Sequence, residues 1–167
     1  IIKEQMLQQE LHITLLGTAS DSNRSKIQSA IAEHSLERVV NVGDGIFGTD
    51  KINRILDNDC FIQLSRAEGQ PLGIIEVMDL GMPCIVTKGT TFYDIAEKHN
   101  AGIPVSDSPA EIAEVILNIR NGKYELPKIS RNASAYASKQ FNWRTLAKDM
   151  VKDYEDIVRS RSNRGAS

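Results

Sequence analysis

Two carboxylates frame the run Glu68-Gly69-Gln70-Pro71-Leu72-Gly73-Ile74-Ile75-Glu76, with seven residues between them. Pro71 suits the first turn of a helix, where its missing N–H is not needed. The helix start then offers unpaired backbone N–H groups and a positive dipole end, both fitted to a phosphate. Gly69 and Gly73 permit close approach to the backbone. Glu76 falls about 7 Å along the axis from Pro71, at ~1.5 Å per residue. Its neighbours Leu72, Ile74, Ile75, Val77 and Met78 predict a helix buried nearly all round. A carboxylate in that setting needs partners, and ribose hydroxyls would serve. Glu68, on the other side of the phosphate site, is placed to accept from hydroxyls of a second sugar. The spacing matches a nucleoside-diphosphate sugar laid across a helix N-terminus.

Taken alone, the acid pair also allows a plainer reading. Glu76 would pair with a basic side chain, and Glu68 would be a solvated loop acid. Other chemistry is poorly represented. Gly17-Thr18-Ala19 follows the first strand-like run, but neither a GxGxxG fingerprint nor a GxxxxGK[ST] loop occurs. His12, His34 and His99 lack ligand spacing, and no metal motif is present. Cys60 and Cys84 form no CxxC pair and read as buried, reduced thiols. Arg66 and Lys88 read first as structural or solvent-facing cations, with help to the phosphates as the alternative.

Positioning these acids requires a framework. Apolar runs at 12–16, 39–42, 60–64, 84–86 and Ile103–Val105 are continuous rather than alternating, as in strands covered on both faces. Helical spacing appears at Asp21–Glu33, 50–58 and 91–99. Ser108-Pro109-Ala110-Glu111 starts another helix, and Gly122 closes it. A last helix from about Asn142 is expected to bury Trp143, Leu146, Met150, Tyr154 and Ile157. Strand–helix alternation with short connections predicts an α/β fold, a Rossmann-like doubly wound parallel sheet. Glu68 then lies at the carboxyl end of the third strand, where such sheets bind ligands.

The 167 residues fit one domain over 1–158, followed by a polar tail over 159–167. A net charge of −2 gives no basic surplus for nucleic acid. No apolar run reaches membrane-spanning length. With two unpaired thiols, the expected compartment is cytoplasmic. Ile1 enters in the middle of an amphipathic pattern, so the chain reads as a fragment of a longer protein.

Residues 65–86, Ser65-Arg66-Ala67-Glu68-Gly69 through Glu76 to Gly81-Met82-Pro83-Cys84-Ile85-Val86, resemble the core of the retaining GT-B glycosyltransferases of the "group 1" type. The shared pattern is a Ser-x-x-Glu-Gly turn, the spaced acid pair, and Gly-x-Pro before a hydrophobic strand. In softer form the resemblance runs from His12 to about Tyr154. It implies the C-terminal, donor-binding half of a GT-B fold. Glu68 would be the catalytic residue, contacting the transferred sugar, and Glu76 would hold the ribose. Backbone groups around Gly69, Gln70, Leu72 and Gly73 would hold the diphosphate. Gly45 and Ile46 would flank the base.

The implied reaction is transfer from a UDP- or GDP-type sugar with retention, using no metal and no further cofactor. The implied partner is an N-terminal acceptor-binding domain, through which alone a membrane would be met. The family's Gly-Arg and Lys-Gly turn would lie ahead of Ile1, so this stretch by itself is expected to be inactive. Gly89-Thr90-Thr91-Phe92-Tyr93-Asp94 departs from the family's Gly-Gly turn before a carboxylate. Two other functions remain open on the same scaffold: a non-catalytic regulatory or protein-interaction module, and a nucleotide-sugar epimerase.

Overall fold

The computed structural model describes residues 1–8 and 10–164, with side chains to residue 160 at the C-terminal end. In chain order the elements are α1 (Lys3–Gln8), β1 (Ile13–Leu16), α2 (Asp21–Glu33), β2 (Val40–Gly43), α3 (Gly48–Leu56) and β3 (Phe61–Gln63). There follow α4 (Leu72–Asp79), β4 (Cys84–Thr87), α5 (Tyr93–His99), β5 (Ile103–Val105), α6 (Pro109–Arg120), α7 (Leu126–Gln140) and α8 (Trp143–Arg164). The chain divides into two compact units, Ile1–Asn58 with Ser108–Tyr124, and Asp59–Asp107 with Glu125–Ser167.

The first unit holds a parallel pair, β1 on β2, with Ile13 opposite Val40 and Leu16 opposite Gly43. Ser20 caps α2 by accepting from the Asn23 N–H. Its apolar interior is small; Met6, Val39, Ala113 and Val115 are its buried hydrophobic residues.

In the second unit β3, β4 and β5 form a parallel sheet in that order. All four residues of β4 are buried, as a central strand covered on both faces requires. Ile74, Val77 and Met78 of α4 are buried with it. Helix α4 ends at Gly81, whose φ of +73° closes the last turn; its N–H donates to Met78 O and that of Met82 to Val77 O. Helix α7 packs on α4 through small residues, with Ala133 and Ala137 buried and the Ser134 hydroxyl donating to Asp79 O.

The parallel α/β architecture agrees with the sequence reading, and strand and helix bounds shift by one or two residues. Two helices, α1 and α7, were not anticipated. Helix α7 is missed because its inward stripe is Ile129, Ala133 and Ala137, too weakly apolar to stand out. The last helix starts where expected, with Asn142 Oδ1 accepting from the N–H groups of Arg144 and Thr145. Its expected burial is not found. Trp143, Met150, Tyr154 and Ile157 are all exposed, and Leu146 is only half-buried. Periodicity shows which residues share a stripe but not whether another element covers it. Part of the expected tail, 159–164, continues α8; the rest, Gly165, Ala166 and Ser167, lies outside the described residues. Among the described residues, no helix is long and apolar enough to cross a membrane.

Candidate functional site

Strand β3 delivers the chain to its carboxyl end at Gln63, and Glu68 follows on the loop beyond. Glu68 Oε1 accepts two hydrogen bonds, from Gln63 Nε2 and from Ser65 Oγ, each at 2.7 Å. Gln63 Nε2 also donates to Ser65 Oγ at 3.1 Å. The loop is tied down along its length. The Glu68 N–H donates to Gly89 O at 2.7 Å, within an isolated parallel bridge between Glu68 and Thr90. Thr87 Oγ1 donates to Ser65 O at 2.8 Å, and Thr91 Oγ1 to Gly69 O at 3.0 Å. A Cβ at Gly89 would lie 1.9 Å from Ser65 O and 2.4 Å from the Arg66 carbonyl carbon. Only glycine fits there, so Gly89-Thr90-Thr91 forms a close backbone seam against residues 65–69.

Helix α4 begins at Leu72, with Pro71 as N-cap, one residue earlier than the helical position expected of it. Pro71 O accepts from the Ile74 and Ile75 N–H groups. The N–H groups of Leu72 and Gly73 precede any intrahelical acceptor, by the geometry of a helix start. Space around them is open: Leu72 is 67% exposed, Gln70 is exposed, and a Cβ at Gly69 or Gly73 would meet nothing within 4 Å. Glu76 lies one turn on, on the same exposed side. That corrects the expectation of a helix buried nearly all round. The helix is one-sided, with Ile74, Val77 and Met78 inward and Leu72, Gly73 and Glu76 outward. The apolar content of α4 masked its two faces because Leu72 stands on the open one.

Glu68, Gly69, Gln70, Leu72, Gly73 and Glu76 thus gather at the carboxyl end of β3 and the start of α4. Gly45 and Ile46 belong to the first unit, on the loop between β2 and α3, where both are half-buried. A Cβ at Gly45 would approach Thr18 Oγ1 to 3.3 Å and the Phe47 ring to 3.6 Å. The preceding Asp44 pairs with Arg24 of α2.

Sequence reasoning did not anticipate the parts played by Gln63, Thr87 and Thr91. The available signal was a glutamine closing an otherwise apolar strand. A hollow of about 470 Å³ is lined by Lys88, Thr90, Thr91, Tyr93, Asp94 and Glu97. Lys88 Nζ stands 5.6 Å from the Tyr93 ring centroid, a cation–π distance. Among the described residues, no group of three or more His, Cys, Asp or Glu could hold a metal ion. Together, the open N–H groups suit an anion, and the acids on either side suit hydroxyls.

The sequence model of the family described as "Glycosyl transferases group 1" matches residues 1–140. A comparison with curated proteins gives no match. Among solved structures, HepE of Anabaena in complex with UDP superposes with a TM-score of 0.78 at 21% identity, covering 93% of this chain and 44% of that one. A sucrose-phosphate synthase from Thermosynechococcus elongatus gives 0.72 at 21% identity, covering 88% and 38%. TarM gives 0.75 at 19% identity, covering 90% and 30%. At such identities the likeness is one of fold. This chain spans less than half the length of each of these proteins.

Proposed function

The chain belongs to the glycosyl transferases group 1 family, and from that premise we propose that it is the donor-binding half of a retaining, hexosyl-transferring enzyme. The observation that carries this reading is Glu68, fixed at a strand's carboxyl end immediately before an open helix N-terminus. In this reading the diphosphate of a nucleotide sugar lies against the N–H groups of Leu72 and Gly73, with Gly69 and Gln70 beside it. Glu76 accepts from the ribose hydroxyls, and Glu68 meets the transferred sugar. Support comes also from HepE, which was solved with UDP, with UDP and glucose, and with UDP-glucose.

In the reaction, the bond between the sugar's anomeric carbon and the diphosphate oxygen breaks. An acceptor hydroxyl forms the new bond on the same face, and its proton passes to the leaving phosphate. Negative charge grows on the diphosphate, where the α4 dipole and N–H groups favour it. No metal or other cofactor is assigned a part. Full turnover requires an acceptor-binding half and additional cations at the diphosphate. We therefore expect this stretch to bind donor and not to turn it over. Glycan synthesis in the cytoplasm would be the setting.

Calorimetric titration with UDP, GDP and ADP tests the reading. One of the three should bind, and Glu76→Ala should weaken it by about tenfold, the loss of hydrogen bonds to a charged group. Equal binding by Glu76→Ala would remove the ribose assignment. No binding of any nucleotide would favour a second reading, a protein-interaction module. The exposed apolar side chains of α8 speak for that one.

A further inference from the structure

We infer that Gln63 is a positioning residue that aims the Glu68 carboxylate at the donor sugar, an inference that rests on the donor-binding reading above. Gln63 closes β3, opposite Val86 of the fully buried β4. Its side-chain amide carries two hydrogens. One reaches Glu68 Oε1 and the other reaches Ser65 Oγ. The Ser65 hydroxyl, accepting from Gln63, gives its single hydrogen to the same Oε1. The three side chains close a triangle in which every donated hydrogen has a defined destination.

The main chain beneath is held independently by the Glu68 N–H to Gly89 O bond. Backbone and carboxylate are thus fixed by separate contacts, as a site needing tight geometry requires. Both donors are neutral. They orient the group without cancelling its charge, which a lysine or arginine in the same place would do. Both bonds fall on Oε1, so the direction of Oε2 is set as well. An apolar residue at 63 would fit the strand and leave the carboxylate held by the Ser65 hydroxyl alone.

The test compares UDP-glucose with UDP on wild type, Gln63→Met, Glu68→Ala and the double variant, by calorimetry. Gln63→Met keeps the side chain's length and shape and removes the donor. It should weaken UDP-glucose about tenfold, as loss of a bond to a charged acceptor does, and leave UDP within about twofold. In the Glu68→Ala background the same change should cost nothing further, since the pair acts as a unit. A purely structural glutamine would instead weaken both ligands alike, in both backgrounds, and that result overturns the proposal. If wild type binds neither ligand, the comparison is repeated with the GDP and ADP pairs, and the donor reading fails when none of the three nucleotides binds. The clamp is then read by NMR from the Gln63 side-chain amide. Its signals should shift, and its hydrogens exchange faster, in Glu68→Ala; unchanged signals overturn the positioning role.

Discussion

Cys60 shows how a single side chain in this chain couples to its surroundings. Its thiol donates to Pro83 O at 3.1 Å, and burial pushes it up to about 12 from an ordinary 9.0. Burial drives Cys84 upward too, for the same reason. A group raised in this way keeps its proton in the folded chain after the unfolded chain has released it. Its contribution to stability is therefore whole below about pH 9 and declines between about 9 and 12. The urea midpoint of wild type should fall more between about pH 8 and about pH 10 than that of Cys60→Ala. Equal falls in the two proteins would show that the thiol is no more desolvated in the fold than out of it. The reading of buried thiols was available from sequence because cysteine is so often buried; it holds for Cys84, while Cys60 is half-buried. The Glu68 clamp was not. Nothing in the order Gln63-Leu64-Ser65-Arg66-Ala67-Glu68 states that the chain turns back to bring residues 63, 65 and 68 onto one oxygen.

Helices α4 and α7 meet through small groups, and the contact depends on their smallness. Ala133 is fully buried, Ser134 bonds to Asp79 O, and a Cβ at Gly81 would stand 3.1 Å from Ser130 Oγ. Ala133→Leu has no space to enter and should destabilise the chain by about 1–3 kcal/mol, the ordinary range for overpacking. Chemical denaturation measures it; a loss under about 0.5 kcal/mol would mean the seam has room. Since α4 also presents Leu72, Gly73 and Glu76, a forced seam should weaken nucleotide binding along with stability. This seam explains the limits of the sequence as a guide to elements. Strands such as Ile103–Val105 and Cys84–Thr87 are legible because buried parallel strands are continuous apolar runs. Helix α2 is legible from its spacing. Helix α7 is not, because close approach selects alanine and serine, which carry little hydrophobic signal. The outward face of α4 escapes a reading by composition for the converse reason: a leucine, Leu72, faces solvent at the helix start.

At the scale of the whole molecule, the apolar residues fall into two groups, one inside and one out. The interior of the second unit, from Ile74 and Met78 to Ile103 and Ile129, is buried. The stripe of α8, Trp143, Met150, Tyr154 and Ile157, is spaced as on one helix face, like Ile74 and Met78 of α4, yet faces solvent. Spacing alone gave the two the same appearance, and only the packed structure separates them. Trp143 reports on the difference because it is the chain's only tryptophan and is 84% exposed. An indole in water emits at longer wavelength than a buried one. The native chain should therefore emit at nearly the wavelength of the chain unfolded in urea, while its helical circular dichroism collapses across the same titration. A short-wavelength native maximum that moves red on unfolding would mean that Trp143 is covered, and would return α8 to the core. If the proposed acceptor-binding half packs against this helix, adding it as a separate domain should move the native emission to shorter wavelength. Adding UDP-glucose alone should not, because the donor's proposed contacts lie on the β3–α4 loop and α4.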